Sequence, residues 1–161
     1  MVEIFKETPS QLHSSQIADD LSSFDFSAQW RGVQSLLGSK NYDEKFIPYL
    51  ISLLNFDENQ KDTLFIQTGI IVNAALALAK IGDAGLTAIL KELRHNDLRR
   101  VGNALAAFDT IASEDLQLSD CIKNEVSARA KNLLNNQDQY IKYLASELLA
   151  TLAASKSMQK K

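Results

Sequence analysis

Few side chains in this chain combine the type and the spacing that chemistry requires. His13 and His95 lie far apart, with no cysteine or carboxylate at ligand spacing around either, so a zinc-type ligand set cannot be assembled. His95 follows Arg94 at a predicted helix end, where a cation complements the helix dipole. Cys121 stands alone beside Ile122 in an apolar-periodic stretch, which predicts a buried, inert thiol. Asp19-Asp20 and Asp43-Glu44 are paired acids, but neighbours on a helix point apart, so both pairs are expected at the surface rather than as a catalytic dyad. Neither glycine-rich phosphate loop, G-x-x-x-x-G-K-S/T or G-x-G-x-x-G, occurs, and the G-x-S-x-G nucleophile turn is missing too. These observations predict no catalytic residue, no metal and no cofactor.

Composition narrows the partner classes. The 161 residues carry a net charge of −3 with 45% hydrophobic and 23% charged residues, the profile of one globular domain spanning 1–161. Arg99-Arg100 is the only arginine pair. A pI near 5.4 with scattered cations is a poor footprint for phosphate neutralisation, which argues against a nucleic-acid partner. Residues 1–60 hold nine acids against four bases, a bias that could steer a basic partner. The start, MVEIFKETPSQ, is polar and has no apolar core segment. The longest apolar stretch, Gly69 to Ala79, is interrupted by Asn73 and falls short of the roughly 18 apolar residues a span needs. A soluble, cytoplasmic protein is the expectation, and a single cysteine, which permits no internal disulfide, fits a reducing compartment.

The elements that position these residues read as helices throughout. Apolar positions recur at 3.6-residue spacing, and with two prolines and six glycines little of the chain can be turn-rich. A lead-in over 1–9 precedes a short helix capped by Ser10, with Leu12, Ile17 and Leu21 inside. Asp25 or Ser27 caps a helix over 27–37, where Trp30, Val33 and Leu37 are read as core and Gly38 ends the turn. Tyr42 to Leu54 follows, with Phe46, Leu50, Leu53 and Leu54 inward and Pro48 tolerated in the first turn. Further helices are predicted over 63–81, over 84–94 capped by Asp83, over 98–112 capped by Asn96 or Asp97, and over 116–134. A last helix, Tyr140–Ala154, precedes a polar tail over 155–161. Leu144, Leu148 and Leu152 on this last helix offer an apolar edge, so a monomer or a weak dimer through it is expected, while Lys142, Ser146 and Glu147 supply a polar side.

Two of these helices match each other. Residues 71–83 read IVNAALALAKIGD and residues 101–113 read VGNALAAFDTIAS, so that Asn73 falls on Asn103, Ala77 on Ala107 and Ile81 on Ile111. A period of about 30 to 45 residues marks stacked helical repeats. With Ala77-Leu78-Ala79-Lys80-Ile81-Gly82-Asp83 followed by Asn96-Asp97 and Arg99-Arg100, the chain resembles HEAT-type repeats, especially the short form in phycobilisome lyase-like proteins. The likeness is most specific over 71–112. It departs where Gly69-Ile70-Ile71 replaces an expected arginine, and where Ala112-Ser113 replaces the glycine–aspartate turn. The resemblance implies an all-α, right-handed HEAT-like α-solenoid of about three and a half hairpins, pairing 27–37 with 46–54, 63–81 with 84–94 and 98–112 with 116–134.

In such stacks the second helix of each hairpin lines the concave surface. That face here would carry Thr87, Lys91 and Arg94; Lys45, Tyr49, Ser52 and Asn55 in the preceding unit; and Asn124, Ser127 and Lys131 in the next. The stripe is polar with a weak basic bias, suited to an acidic or carbonyl-rich protein surface. Trp30, Tyr42 and Tyr49 could add an exposed aromatic patch. The expected function is a non-catalytic protein-binding module, an adaptor or an inhibitor-type protein. The resemblance also brings a bilin lyase-like enzyme and, further off, a HEAT-type nucleic-acid binder.

Overall fold

Four helices of this protein begin where a short polar side chain, that of Asp25, Asp97, Ser119 or Asp138, captures a free backbone N–H. The computed structural model describes residues 14–39, 42–55 and 64–158. Among them the order is α1 (Ser14–Ser22), α2 (Phe26–Gly38), α3 (Ile47–Leu54), α4 (Leu64–Ile81), α5 (Asp83–Glu92), α6 (Leu98–Ser113), α7 (Asp120–Leu133) and α8 (Gln139–Met158), with no strand. One 3₁₀ turn, Glu44–Phe46, leads into α3 and leaves Pro48 in its first turn. The lead-in, Ser10, Leu12, His13 and most of the 55–62 connector lie outside the described residues.

The caps follow the chemistry of short polar side chains. Asp25 accepts from Ser27 N at 3.0 Å, Asp97 from Arg99 N at 2.9 Å, and Asp138 from Tyr140 N at 2.8 Å. Asp83 does not cap α5: Gly82 does, at φ +96° and without a side-chain bond, and Asp83 sits in the first turn. Glycine fits because that φ crowds a Cβ. The helix expected from 116 starts only at Asp120. Asp115, at φ +54°, ends α6, and Leu116 and Leu118 instead pack on the core from a non-helical segment capped by Ser119. At the other end α8 runs past the expected Ala154 to Met158.

The helices form two rows. α2, α4, α6 and α8 pack each on the next, and α1, α3, α5 and α7 follow alongside with slighter mutual contact. Across the rows, α1 lies on α2, α3 on α4, α5 on both α4 and α6, and α7 on α8. The expected pairings of 27–37 with 46–54 and of 98–112 with 116–134 are not the close ones; each of those helices packs instead on its other neighbour. One continuous core runs from Ile17 and Leu21 through Leu50, Leu78, Ile89 and Phe108 to Leu148 and Leu152. The internal sequence match now has a cause. α4 and α6 are neighbours in one row, and Ala74, Ala77 and Leu78 are buried like Ala104, Ala107 and Phe108.

Small residues set how closely the helices approach. A Cβ on Gly85 would run into the Leu78 carbonyl oxygen, so the start of α5 lies directly against the last turn of α4. On Gly69 it would lie 2.9 Å from the Trp30 ring. Trp30, expected in the core, therefore caps that glycine from the surface and stays 39% exposed. Leu148 and Leu152 are buried, so the apolar edge expected to be free for dimerisation is used inside, and α8 turns Tyr140, Tyr143, Ser146 and Glu147 outward.

Asp20 was expected at the surface but is buried, gripped by Arg31 from α2 through Nε at 2.8 Å and the second guanidinium nitrogen at 2.7 Å. Asp19 beside it faces solvent. The Arg31 hydrogen bonds hold the Asp20 carboxyl below the usual carboxylate range, against the opposing pull of burial. A depressed folded value means that the unfolded chain takes up the proton first. This contribution is therefore complete above about pH 4, the unfolded carboxylate value, and is lost as pH falls through the folded one. Denaturant midpoints measured from about pH 6 down to about pH 3 should fall, and Asp20→Asn should show a smaller fall than the parent; an equal fall would show that the pair adds no pH dependence.

Candidate functional site

The polar stripe inferred from the sequence is displayed on three neighbouring helices. Lys45, Tyr49 and Ser52 belong to the 3₁₀ turn and α3, Thr87 and Lys91 to α5 with Arg94 just beyond it, and Asn124, Ser127 and Lys131 to α7. Eight of the nine are exposed and Ser127 is half-buried. They lie along the row in which α3 meets α5 and α5 meets α7. Asn55 leaves the stripe: it is half-buried, and its amide donates to Glu92 Oε2 at 2.9 Å.

The cations of the stripe are unequal. Lys45 Nζ lies 3.1 Å from Asp43 and 5.2 Å from the Phe46 ring. The Lys45 backbone N–H and then its side chain draw the Asp43 carboxyl below its ordinary pKa. Arg94 pairs with Glu125 across from α7. Lys91 and Lys131 have no carboxylate at ion-pair distance among the described residues.

Arg100 and His95 do other work. Glu92 is 6% exposed and receives Arg100 Nε at 2.6 Å and a second guanidinium nitrogen at 2.8 Å. The bidentate pair, with Asn55, ties the ends of α3 and α5 to the start of α6. The hydrogen bond to Glu92 raises the Arg100 pKa above its ordinary value, against the opposing pull of burial. His95 lies three residues past α5, and its ring accepts Asp97 N at Nδ1 (3.0 Å) with Arg100 2.8 Å from Nε2. It bridges a turn to the next helix rather than complementing the α5 dipole. One warning of this network was present in the chain: Glu92 falls on the apolar line of Ile89 and Leu93, where an acid needs a partner.

The aromatic residues do not assemble as expected. Tyr42 donates its hydroxyl to Leu37 O at 2.9 Å under Lys80, Tyr49 is exposed on α3, and Trp30 lies in the other row. Sequence reasoning missed Leu98, Tyr140 and Tyr143, exposed where α6 and α8 begin. Leu98, Tyr140, Gly102, Asn103 and Ile141 help line a cavity of about 340 Å³ there. A larger one, about 560 Å³, lies against the 115–120 segment and is polar, with Asp115, Gln117, Asp120, Lys123 and Ser155 among its walls. Cys121, expected buried, is exposed on the first turn of α7. Among the described residues no three His, Cys, Asp or Glu side chains come together as a metal set, and no helix is long and apolar enough to cross a membrane.

No family model matches this chain, and the curated proteins and solved structures compared with it yield no match either.

Proposed function

We propose that this protein is a non-catalytic protein-binding module, a short HEAT-like α-solenoid whose partner lies across the outer face of α3, α5 and α7. The observation that carries this reading is the run of exposed polar side chains, Lys45 to Lys131, along three helices that neighbour one another in one row. The packing of α1 on α2, α3 on α4 and α7 on α8 supports stacked hairpins, while α5 packs more closely on α4, the partner read from the sequence, than on α6. An array of this kind offers an extended surface rather than an enclosed pocket. Use as an adaptor or as an inhibitor of a partner enzyme is an analogy from fold to function.

A second reading has its own support. The even-numbered helices approach each other more extensively than the odd-numbered ones, so any curvature would turn α2, α4, α6 and α8 inward. That face carries Trp30, Leu98, Tyr140 and Tyr143, residue types that dominate binding energy when buried at an interface.

Site-specific photo-crosslinking in a lysate of the native host separates the two. One polypeptide captured from Tyr49, Thr87 and Asn124, and not from Tyr143, is the expected result. Capture from Tyr143 and Trp30 alone would move the partner to the other row, and no capture from any position would overturn the binding-module reading. A red-shifted band on adding a bilin would favour the lyase-like alternative.

A further inference from the structure

We infer that the C-terminal halves of α5 and α7 form a docking patch for an acidic segment of a protein partner. This rests on the binding-module reading and narrows it to one part of the α3–α5–α7 face.

Over residues 88–94 and 125–134 the chain carries Lys91, Arg94, Arg129 and Lys131 against Glu92 and Glu125. Glu92 is buried and held by Arg100 of α6, so Glu125 alone offsets the four cations. The surface there is strongly positive on a chain whose net charge is −3. Two links place the arginines together: Arg94 pairs with Glu125, and Arg129 Nε donates to Leu93 O at 3.0 Å. Residues 125 and 129, one turn apart on α7, therefore border the end of α5. Lys91 precedes Arg94 by one turn, and Lys131 sits beyond the exposed Ala128. Asn132 adds exposed amide donors, and Leu134, 39% exposed, adds an apolar edge.

Cations in a last helical turn also complement the helix dipole, which would explain Lys91 and Lys131 singly. It does not explain Arg94 and Arg129 gathered where α5 ends against α7, under a single acid. The complementary ligand is a short carboxylate-rich segment, whose charges sense this patch within about 8–10 Å at physiological salt. A long polyanion fits less well. Running along the same row, it meets the exposed Glu44, Asp83 and Asp120. Nucleic-acid affinity also needs many phosphate contacts in line.

The test uses the full chain and a fluorescein-labelled twelve-residue peptide of glutamate and aspartate around one leucine, read by anisotropy at low and at high salt. Binding that disappears at high salt is expected, weakened about tenfold or more in Lys91→Glu/Lys131→Glu and in Lys91→Gln/Lys131→Gln, with both melting like the parent. Lys123→Glu makes the same charge change as the glutamine pair, near the other end of α7, and should weaken it less than about threefold. Equal weakening by Lys123→Glu would overturn the patch, as would no salt-sensitive binding. So would tighter binding of a twelve-nucleotide strand through the same lysines. If the peptide fails while Thr87 and Asn124 still crosslink one partner, the acidic-segment assignment falls and the binding-module reading stands.

Discussion

Gly85→Ala is expected to lower stability by about 3 kcal/mol, the upper end for forcing one extra carbon into a packed contact. The added Cβ would run into the Leu78 carbonyl oxygen and sit 2.8 Å from its carbon. What it meets is main chain in the last turn of α4, not the end of a flexible side chain. α5 must therefore shift against α4, which disturbs the core around the fully buried Leu78 of α4 and Ile89 of α5. Helix propensity pulls the other way, since alanine is favoured over glycine by up to about 1 kcal/mol, so a naive expectation would be stabilisation. Gly38→Ala provides the control, because nothing lies within 4 Å of its Cβ position. Urea denaturation of the two variants should give a large drop in midpoint for Gly85→Ala and little change or a slight gain for Gly38→Ala. A neutral Gly85→Ala would mean that α4 and α5 do not cross this closely.

Arg100→Leu should destabilise by about 3–5 kcal/mol, because it strands a carboxylate at a site that excludes water. Glu92 would keep one donor, the Asn55 amide at 2.9 Å, in place of three. The informative comparison is the double variant Glu92→Leu/Arg100→Leu. Removing both charges together removes the desolvation penalty along with the attraction, and such replacements are often neutral or better. The double variant should therefore recover most of the loss, with a coupling energy of at least about 2 kcal/mol between the two positions. Additive losses would show that the pair acts through packing of the aliphatic stems and not through charge. His95 enters the same cycle, since Arg100 is 2.8 Å from its Nε2.

Much of the local structure could be read in advance. The 3.6-residue spacing of Leu86, Ile89, Leu90 and Leu93, or of Val101, Leu105, Phe108 and Ile111, marks positions that must leave water, and all of them are buried. Asp25, Asp97 and Gly82 mark helix ends because cap chemistry is decided within a few residues of the chain. Where that local rule failed, as at Asp83 and at 116–119, the competing solution was equally local: a glycine at φ +96° and an aspartate at φ +54°. The stripe from Lys45 to Lys131 was legible as well, since exposed positions are what remains when the apolar line is subtracted.

Periodicity shows that a side chain is buried, yet leaves open which helix buries it. α2 has a short connector on each side, so nothing local distinguishes α2 with α3 from α1 with α2, and the close partner is chosen by how the surfaces fit. The same limit hid the Asp20–Arg31 and Glu92–Arg100 pairs, 11 and 8 residues apart, and turned Trp30 from a core residue into a lid over Gly69. It also put Leu148 and Leu152 inside and Tyr140 and Tyr143 outside. Among the described residues the chain alone thus dictates eight helices, most of their ends and most of their wet and dry sides. Which dry sides meet, and so which charges are cancelled and which remain for a partner, depends on contacts between residues far apart in sequence, and no local pattern encodes these.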